Sequence, residues 1–108
     1  MAQDFRRFTS NNVGTSAATV FTANSYDAII GVSLANVTSG DITASVYVND
    51  GSNDIYLIKD APIPAGSALQ VIDGGAKVVV QNLDVLYVIS NTASSLDVIV
   101  SVVDAIST

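Results

Sequence analysis

Thirty-four of the 108 residues are Val, Ile or Thr, in the numbers 16, 10 and 8. Side chains branched at Cβ pack well on a pleated sheet and lose rotamer freedom in a helix. The strong helix formers are scarce: Leu occurs six times and Glu not at all. No segment sustains the apolar period of a helix, whereas alternation with period two recurs along the chain. An all-β fold follows, with strands separated by clusters of turn residues.

Those clusters partition the chain. Ser16 to Thr22 reads as a strand. Asp27 to Ala35 is a second, with Ala28, Ile30, Val32 and Leu34 expected on one face. Asn36 to Gly40 is a turn cluster. In Asp41 to Asn49 the pattern sends Ile42, Ala44, Val46 and Val48 inward, and Thr43, Ser45 and Tyr47 outward. Asn49-Asp50-Gly51-Ser52-Asn53 is a hairpin signal, and Asp54 to Lys59 is the returning strand. Pro62 and Pro64 lack N–H donors, so Asp60 to Gly66 is expected to be a connection crossing between sheets. Ser67 to Ile72, Ala76 to Val80, Val85 to Ser90 and Leu96 to Asp104 complete the set, with Asp73-Gly74-Gly75 as a turn. About eight short strands at these intervals predict a single antiparallel β-sandwich of jelly-roll type.

Charge and missing residue types limit the chemistry. Ten Asp against four Lys and Arg leave a formal charge of −6, with no His, Cys or Trp. An imidazole base, a thiolate nucleophile, a Cys/His metal cluster and a disulfide framework are therefore absent. With two isolated lysines beyond the first eight residues, nucleic-acid binding is not expected. No apolar stretch approaches the length of a spanning helix, so no membrane partner is expected. The N-terminus has no apolar stretch after its arginines and does not read as an export signal.

Hydrophobic residues make up 49% of the chain and charged ones 13%. A small domain this apolar leaves apolar groups on its outside, and large exposed patches mark interfaces. A homo-oligomer is expected, with a trimer or higher symmetric ring favoured. Val85 to Ile89 and Val98 to Val103 alternate little, which nominates Leu86, Val88, Ile99 and Val103 as outer-face interface residues. Residues 1–15 stand apart from the sandwich expected over 16–108. Phe5-Arg6-Arg7-Phe8 is an aromatic and basic arm on an acidic body, followed by a polar tether over Thr9 to Ser16. Phe5, Arg6, Arg7 and Phe8 are the expected partner-docking residues, with Arg pairing to carboxylates and Phe filling pockets.

Other constellations are weaker. Asp50 and Asp54, with Asn49, Ser52 and Asn53, gather oxygens without the spacing of a calcium loop. Tyr47 and Tyr56 flank the same hairpin, so Tyr47, Asp50, Asp54 and Tyr56 form a candidate ligand tip for a sugar or another surface. Most Asp residues sit at strand boundaries, where they favour turns and keep edges from pairing; paired catalytic carboxylates are the lesser reading. Asp73-Gly74-Gly75-Ala76-Lys77 lacks the spacing of a phosphate loop. No catalytic residue, metal site or cofactor is expected.

Ile29 to Asn36, Ile55 to Leu69, Ile72 to Gly75 with Lys77-Val78-Val79, the opening Val13 to Ser16 and the closing Ser94 to Val98 resemble a group of small tailed-bacteriophage virion proteins. The resemblance covers most of residues 12–104 and rests on turns and strands; the Phe5 to Phe8 arm lies outside it. It implies a small β-sandwich structural protein built into the particle, assembled in the host bacterial cytoplasm. Its partners would be other virion proteins such as major capsid or tail proteins. Capsid decoration by a cement protein is the first expectation. A tail, neck or baseplate component, or a glycan- or surface-binding β module, is the alternative.

Overall fold

A computed structural model describes residues 4–104, with side chains except at residues 4 and 73–76. Residues 1–3 and 105–108 lie outside it. The described residues form eight strands: β1 (Asp4–Val13), β2 (Ala18–Thr22), β3 (Asp27–Asn36), β4 (Ile42–Asn49), β5 (Asp54–Ile63), β6 (Ala68–Val80), β7 (Val85–Ser90) and β8 (Leu96–Asp104). They build two four-stranded sheets, sheet A in the order β1-β8-β3-β6 and sheet B in the order β2-β7-β4-β5. All pairings are antiparallel.

The pairing has a simple logic. β4 pairs with β5, β3 with β6, β2 with β7 and β1 with β8. The chain is thus one long hairpin, turning at Asp50 to Asn53, that is wound over itself. The pairs β3–β8 and β4–β7 close the winding into two facing sheets. This is the jelly roll expected from the sequence. The core lies between the sheets, with Ile29, Val32, Leu34, Val98, Val100 and Val102 from sheet A meeting Ile42, Val46, Ile63, Leu86 and Val88 from sheet B.

Three local assignments in sheet A differ from the sequence reading. First, the expected tether over residues 9–16 is largely strand. Asp4 to Ser10 runs in register along β8, and after a register shift Val13 pairs with Leu96. Two N–H groups then hold the following turn: Ser90 donates to the Gly14 carbonyl at 2.9 Å and Ser95 to the Val13 carbonyl at 3.0 Å. At Gly14 a Cβ would stand 3.1 Å from the Ser94 nitrogen, so any side chain there would press on neighbouring backbone. Residues 4–13 are an edge strand of the sandwich rather than an arm separate from it.

Second, Ser67 to Ile72 and Ala76 to Val80 are not two strands. Both pair with β3, as Val32↔Ile72 and Ile29↔Val78, so β6 is one 13-residue strand interrupted by a bulge. The expected turn at Asp73 to Gly75 falls at that bulge. Third, β3 has its own irregularity between Ile29 and Gly31. One extra residue reverses the alternation. Ile29 therefore enters the core and the expected Ile30 does not, while Val32 and Leu34 face inward as expected.

Sheet B follows the sequence more closely. Ile42, Ala44 and Val46 are buried, and Val48 packs against the core. β5 runs beyond Lys59 to Ile63, because as an edge strand it tolerates Pro62. A bulge at Asp60, where φ is 51°, is held by its N–H donating to Ser45 Oγ at 2.9 Å. The crossing between sheets is confined to the turn at Pro64 to Ser67, where Gly66 supplies a φ of 69°.

Candidate interaction surfaces

Strand alternation divides the Phe5 to Phe8 segment into two pairs. Along β8, Val98, Val100 and Val102 point into the core, so Asp97, Ile99, Ser101 and Val103 face out. Phe5 lies opposite Val103, Arg7 opposite Ser101 and Thr9 opposite Ile99. Phe5 and Arg7 therefore share the outer face of sheet A. Arg6 and Phe8 point to the other side. Arg6 sits at the rim, its guanidinium 3.4 Å from the Asp104 carboxylate and 5.3 Å from the Phe8 ring centroid. Phe8, expected to dock on a partner, is instead partly buried and packs against the core of its own chain.

Across sheet A, Val103 continues to Ala28 on β3 and Val79 on β6. Phe5, Val103, Ala28 and Val79 thus fall in one apolar cross-strand row, exposed at its two ends while Ala28 within it is buried. Phe5 is 80% exposed and Val79 59%. Two rows along, Ile99 is 45% exposed. Between them lies a shallow groove of about 360 Å³ touched by Phe5, Arg7, Ile30 and Ser101. Of the four expected interface residues, this face holds Ile99 and Val103. Leu86 and Val88 are 1% and 0% exposed and belong to the core. β7 alternates after all, with Leu86, Val88 and Ser90 inward and Val85, Tyr87 and Ile89 outward, although both sets except Tyr87 and Ser90 are aliphatic. Val79 and Ile30 were not legible as surface residues, because their outward placement depends on pairing and on the β3 bulge.

The outer face of sheet B carries a row of tyrosines. Tyr47 lies opposite Tyr56 on one side and Tyr87 on the other. Its ring centroid is 4.9 Å from that of Tyr56 and 5.2 Å from that of Tyr87, and the Tyr47 and Tyr87 planes are 24° apart. Lys59 Nζ covers Tyr56 at 4.9 Å from its centroid. Burial, then the charges of Asp54, Tyr56 and Tyr87, push the Tyr47 phenol above its ordinary pKa. The shared hairpin placed Tyr47 near Tyr56, whereas the neighbouring position of Tyr87 comes from the β4–β7 register. A sugar stacks on an open aromatic face; here Tyr47 is held between two rings, and Tyr56 lies between Tyr47 and a lysine.

At the hairpin tip the polar oxygens are engaged in the turn itself. Asp50 Oδ1 accepts from the N–H groups of Asn53 and Ser52 at 2.8 and 3.0 Å. Those bonds, Asn53 first, hold the Asp50 carboxyl below its ordinary pKa. Asn49 Oδ1 accepts from Gly51 N–H at 2.9 Å, and Asn49 Nδ2 donates to Asp54 Oδ1 at 2.8 Å. This is the bonding of a rigid Asx-type turn around Gly51, whose φ is 98°.

No protein-family model and no curated protein matches the chain by sequence. Solved structures do match its fold. One is a chain in the acid-stable capsid structure of Helicobacter pylori bacteriophage KHP30, with a TM-score of 0.61 and 9% identity over 95% of this chain and 87% of that one. Another comes from the Bacillus endospore appendages described as disulfide-linked pili, with a TM-score of 0.56 and 16% identity over 98% of this chain and 88% of that one. At these identities the likeness is one of architecture.

Proposed function

We propose that this chain is a non-enzymatic structural protein of a bacteriophage virion, and within the particle a capsid decoration protein that associates with copies of itself and with shell proteins. The observation carrying this reading is the outer face of sheet A, where Phe5, Val79 and Ile99 are exposed at 80%, 59% and 45%. An acidic chain that leaves such large apolar side chains uncovered gains by burying them against another protein. The fold supports the reading by analogy, since jelly rolls recur in viral capsid domains and one matching chain comes from a phage capsid. The likeness to the Bacillus pili extends the analogy to another assembly, but this chain has no Cys with which to make a disulfide linkage.

The test is cosedimentation. Purified particles lacking the chain are mixed with the full-length protein and pelleted. Saturable binding is the expected result, with a tenfold or greater loss for Ile99→Asp, about 1.4 kcal/mol or more of binding free energy. Absence of the chain from intact particles, together with no binding to stripped ones, overturns the proposal. Binding to isolated tails but not to shells moves it to a tail, neck or baseplate position.

A further inference from the structure

The outer face of sheet A carries a projection and a recess side by side. The Phe5 ring stands in solvent at the β1 end of the apolar row. One row along, the groove has a low floor, because Ser101 lies opposite Gly31 across β8 and β3. Ile30, displaced outward by the β3 bulge, forms one wall, and Arg7 stands beside Phe5 on the same strand.

We propose that this face is a two-fold self-association surface, in which Phe5 of each copy enters the Ile30–Ser101 groove of the other. The inference rests on the structural-subunit reading and names the contact it uses. Because projection and recess belong to one face, a single contact satisfies both copies at once, and the assembly closes with two subunits. That differs from the trimer favoured by the sequence. Arg7 lines the groove that receives the ring and can lie over its face, repeating between copies the stacking that Arg6 makes on Phe8 at 5.3 Å within one chain.

Charge selects the same face. Two copies at −6 each repel, so close approach favours a surface poor in carboxylates. Among the described side chains the charges on the outer face of sheet A are Arg7, Lys77 on β6 and, at the far end, Asp97. Asp41, Asp50, Asp54, Asp60 and Asp84 lie on sheet B strands or the loops that enter them. Edge-to-edge pairing is also disfavoured. β5 has Pro62 and the Asp60 bulge, β2 is five residues long with a register shift, and β1 and β6 each carry a bulge. Sheet B's outer face is occupied by its own tyrosine row.

The experiment uses the full-length chain in sedimentation velocity. Twice the chain mass is expected, falling to a single chain mass for Phe5→Ser at the same concentration, while Tyr56→Ala stays at twice the chain mass. Thermal melts of all three confirm that they are folded. Because the natural chain has no Cys, a mixture of Phe5→Cys and Ile30→Cys proteins under mild oxidation gives a 5-to-30 disulfide heterodimer. A wild-type chain that is monomeric at millimolar concentration, a trimer, or a dimer indifferent to Phe5→Ser and lacking the 5-to-30 link overturns the inference. A chain that is monomeric alone yet present in virions defeats this inference and leaves the proposed function standing. A Phe5-dependent dimer absent from virions does the reverse.

Discussion

Phe8 on β1 and Phe21 on β2 meet at the edge of the sandwich, their ring centroids 4.6 Å apart and their planes 50° from parallel. The two strands belong to different sheets, so this contact fastens the edge strand of sheet A to that of sheet B. It turns the N-terminal segment into part of the core. Phe8→Ala is expected to destabilise the protein by about 2–4 kcal/mol, through lost burial and the space left beside Phe21. Phe5→Ala, three residues away but in solvent, is expected to change stability by no more than about 0.5 kcal/mol. Urea unfolding of the two variants checks this. A silent Phe8→Ala would restore the picture of a dispensable arm.

The tyrosine row predicts a measurable coupling. Tyr47 and Tyr87 are direct cross-strand partners in near-parallel stacking. A double-mutant cycle with Tyr47→Ala and Tyr87→Ala is expected to return an interaction of about 0.5–1.5 kcal/mol. Additive losses would mean that the rings are neighbours without contributing to each other.

Asn36 is a third point of leverage. It is buried at the end of β3, and its amide donates to the Ile63 carbonyl at 2.9 Å and the Gly40 carbonyl at 2.8 Å, while its oxygen accepts from Thr38 N–H at 2.9 Å and Thr38 Oγ1 at 2.7 Å. One side chain thereby joins a sheet A strand, the following turn and the end of β5 in sheet B. Asn36→Ala should lower stability by about 2–3 kcal/mol, since partner groups are left unsatisfied in the interior. Asn36→Asp should do at least as much harm, because a carboxylate cannot donate to the two carbonyls. Thermal or urea denaturation decides it.

Two groups give opposite pH signatures. The Tyr47 phenol is raised above 10.0 in the folded state, so its contribution is fully present below pH 10 and is lost as pH climbs from there through the folded value. The Asp50 carboxyl is lowered below 3.8, so its contribution is present above that value and is lost as pH falls through the lower folded one. NMR titration of the Asp50 carboxyl carbon should show a midpoint below 3.8, and ultraviolet titration of Tyr47, by difference with Tyr47→Phe, one above 10.0. A midpoint on the other side of either value contradicts the hydrogen bonding or the burial described above.

Most of what the residues could dictate, they did. An excess of β-branched side chains with no Glu determines a sheet protein, because such side chains suit a pleat and resist a helix. The turn clusters at Asn36 to Gly40 and Asn49 to Asn53 locate strand ends, since Gly, Asn and Asp tolerate the backbone that reversal requires. Tertiary pairing decided the rest. Asp4 to Val13 is a strand because β8 offers it a ladder, although its inward positions include Arg6 and Ser10 and show no apolar alternation. Ile29 instead of Ile30 fills the core because a bulge inserted one residue, and β6 is a single strand because both of its halves find β3. Leu86 and Val88 point inward because β7 has sheet A beneath it, a fact hidden when neighbouring positions are also apolar. Alternation along a chain records which residues share a face. Which strand lies alongside, and which of the two faces meets the opposite sheet, are properties of contacts between segments far apart in sequence.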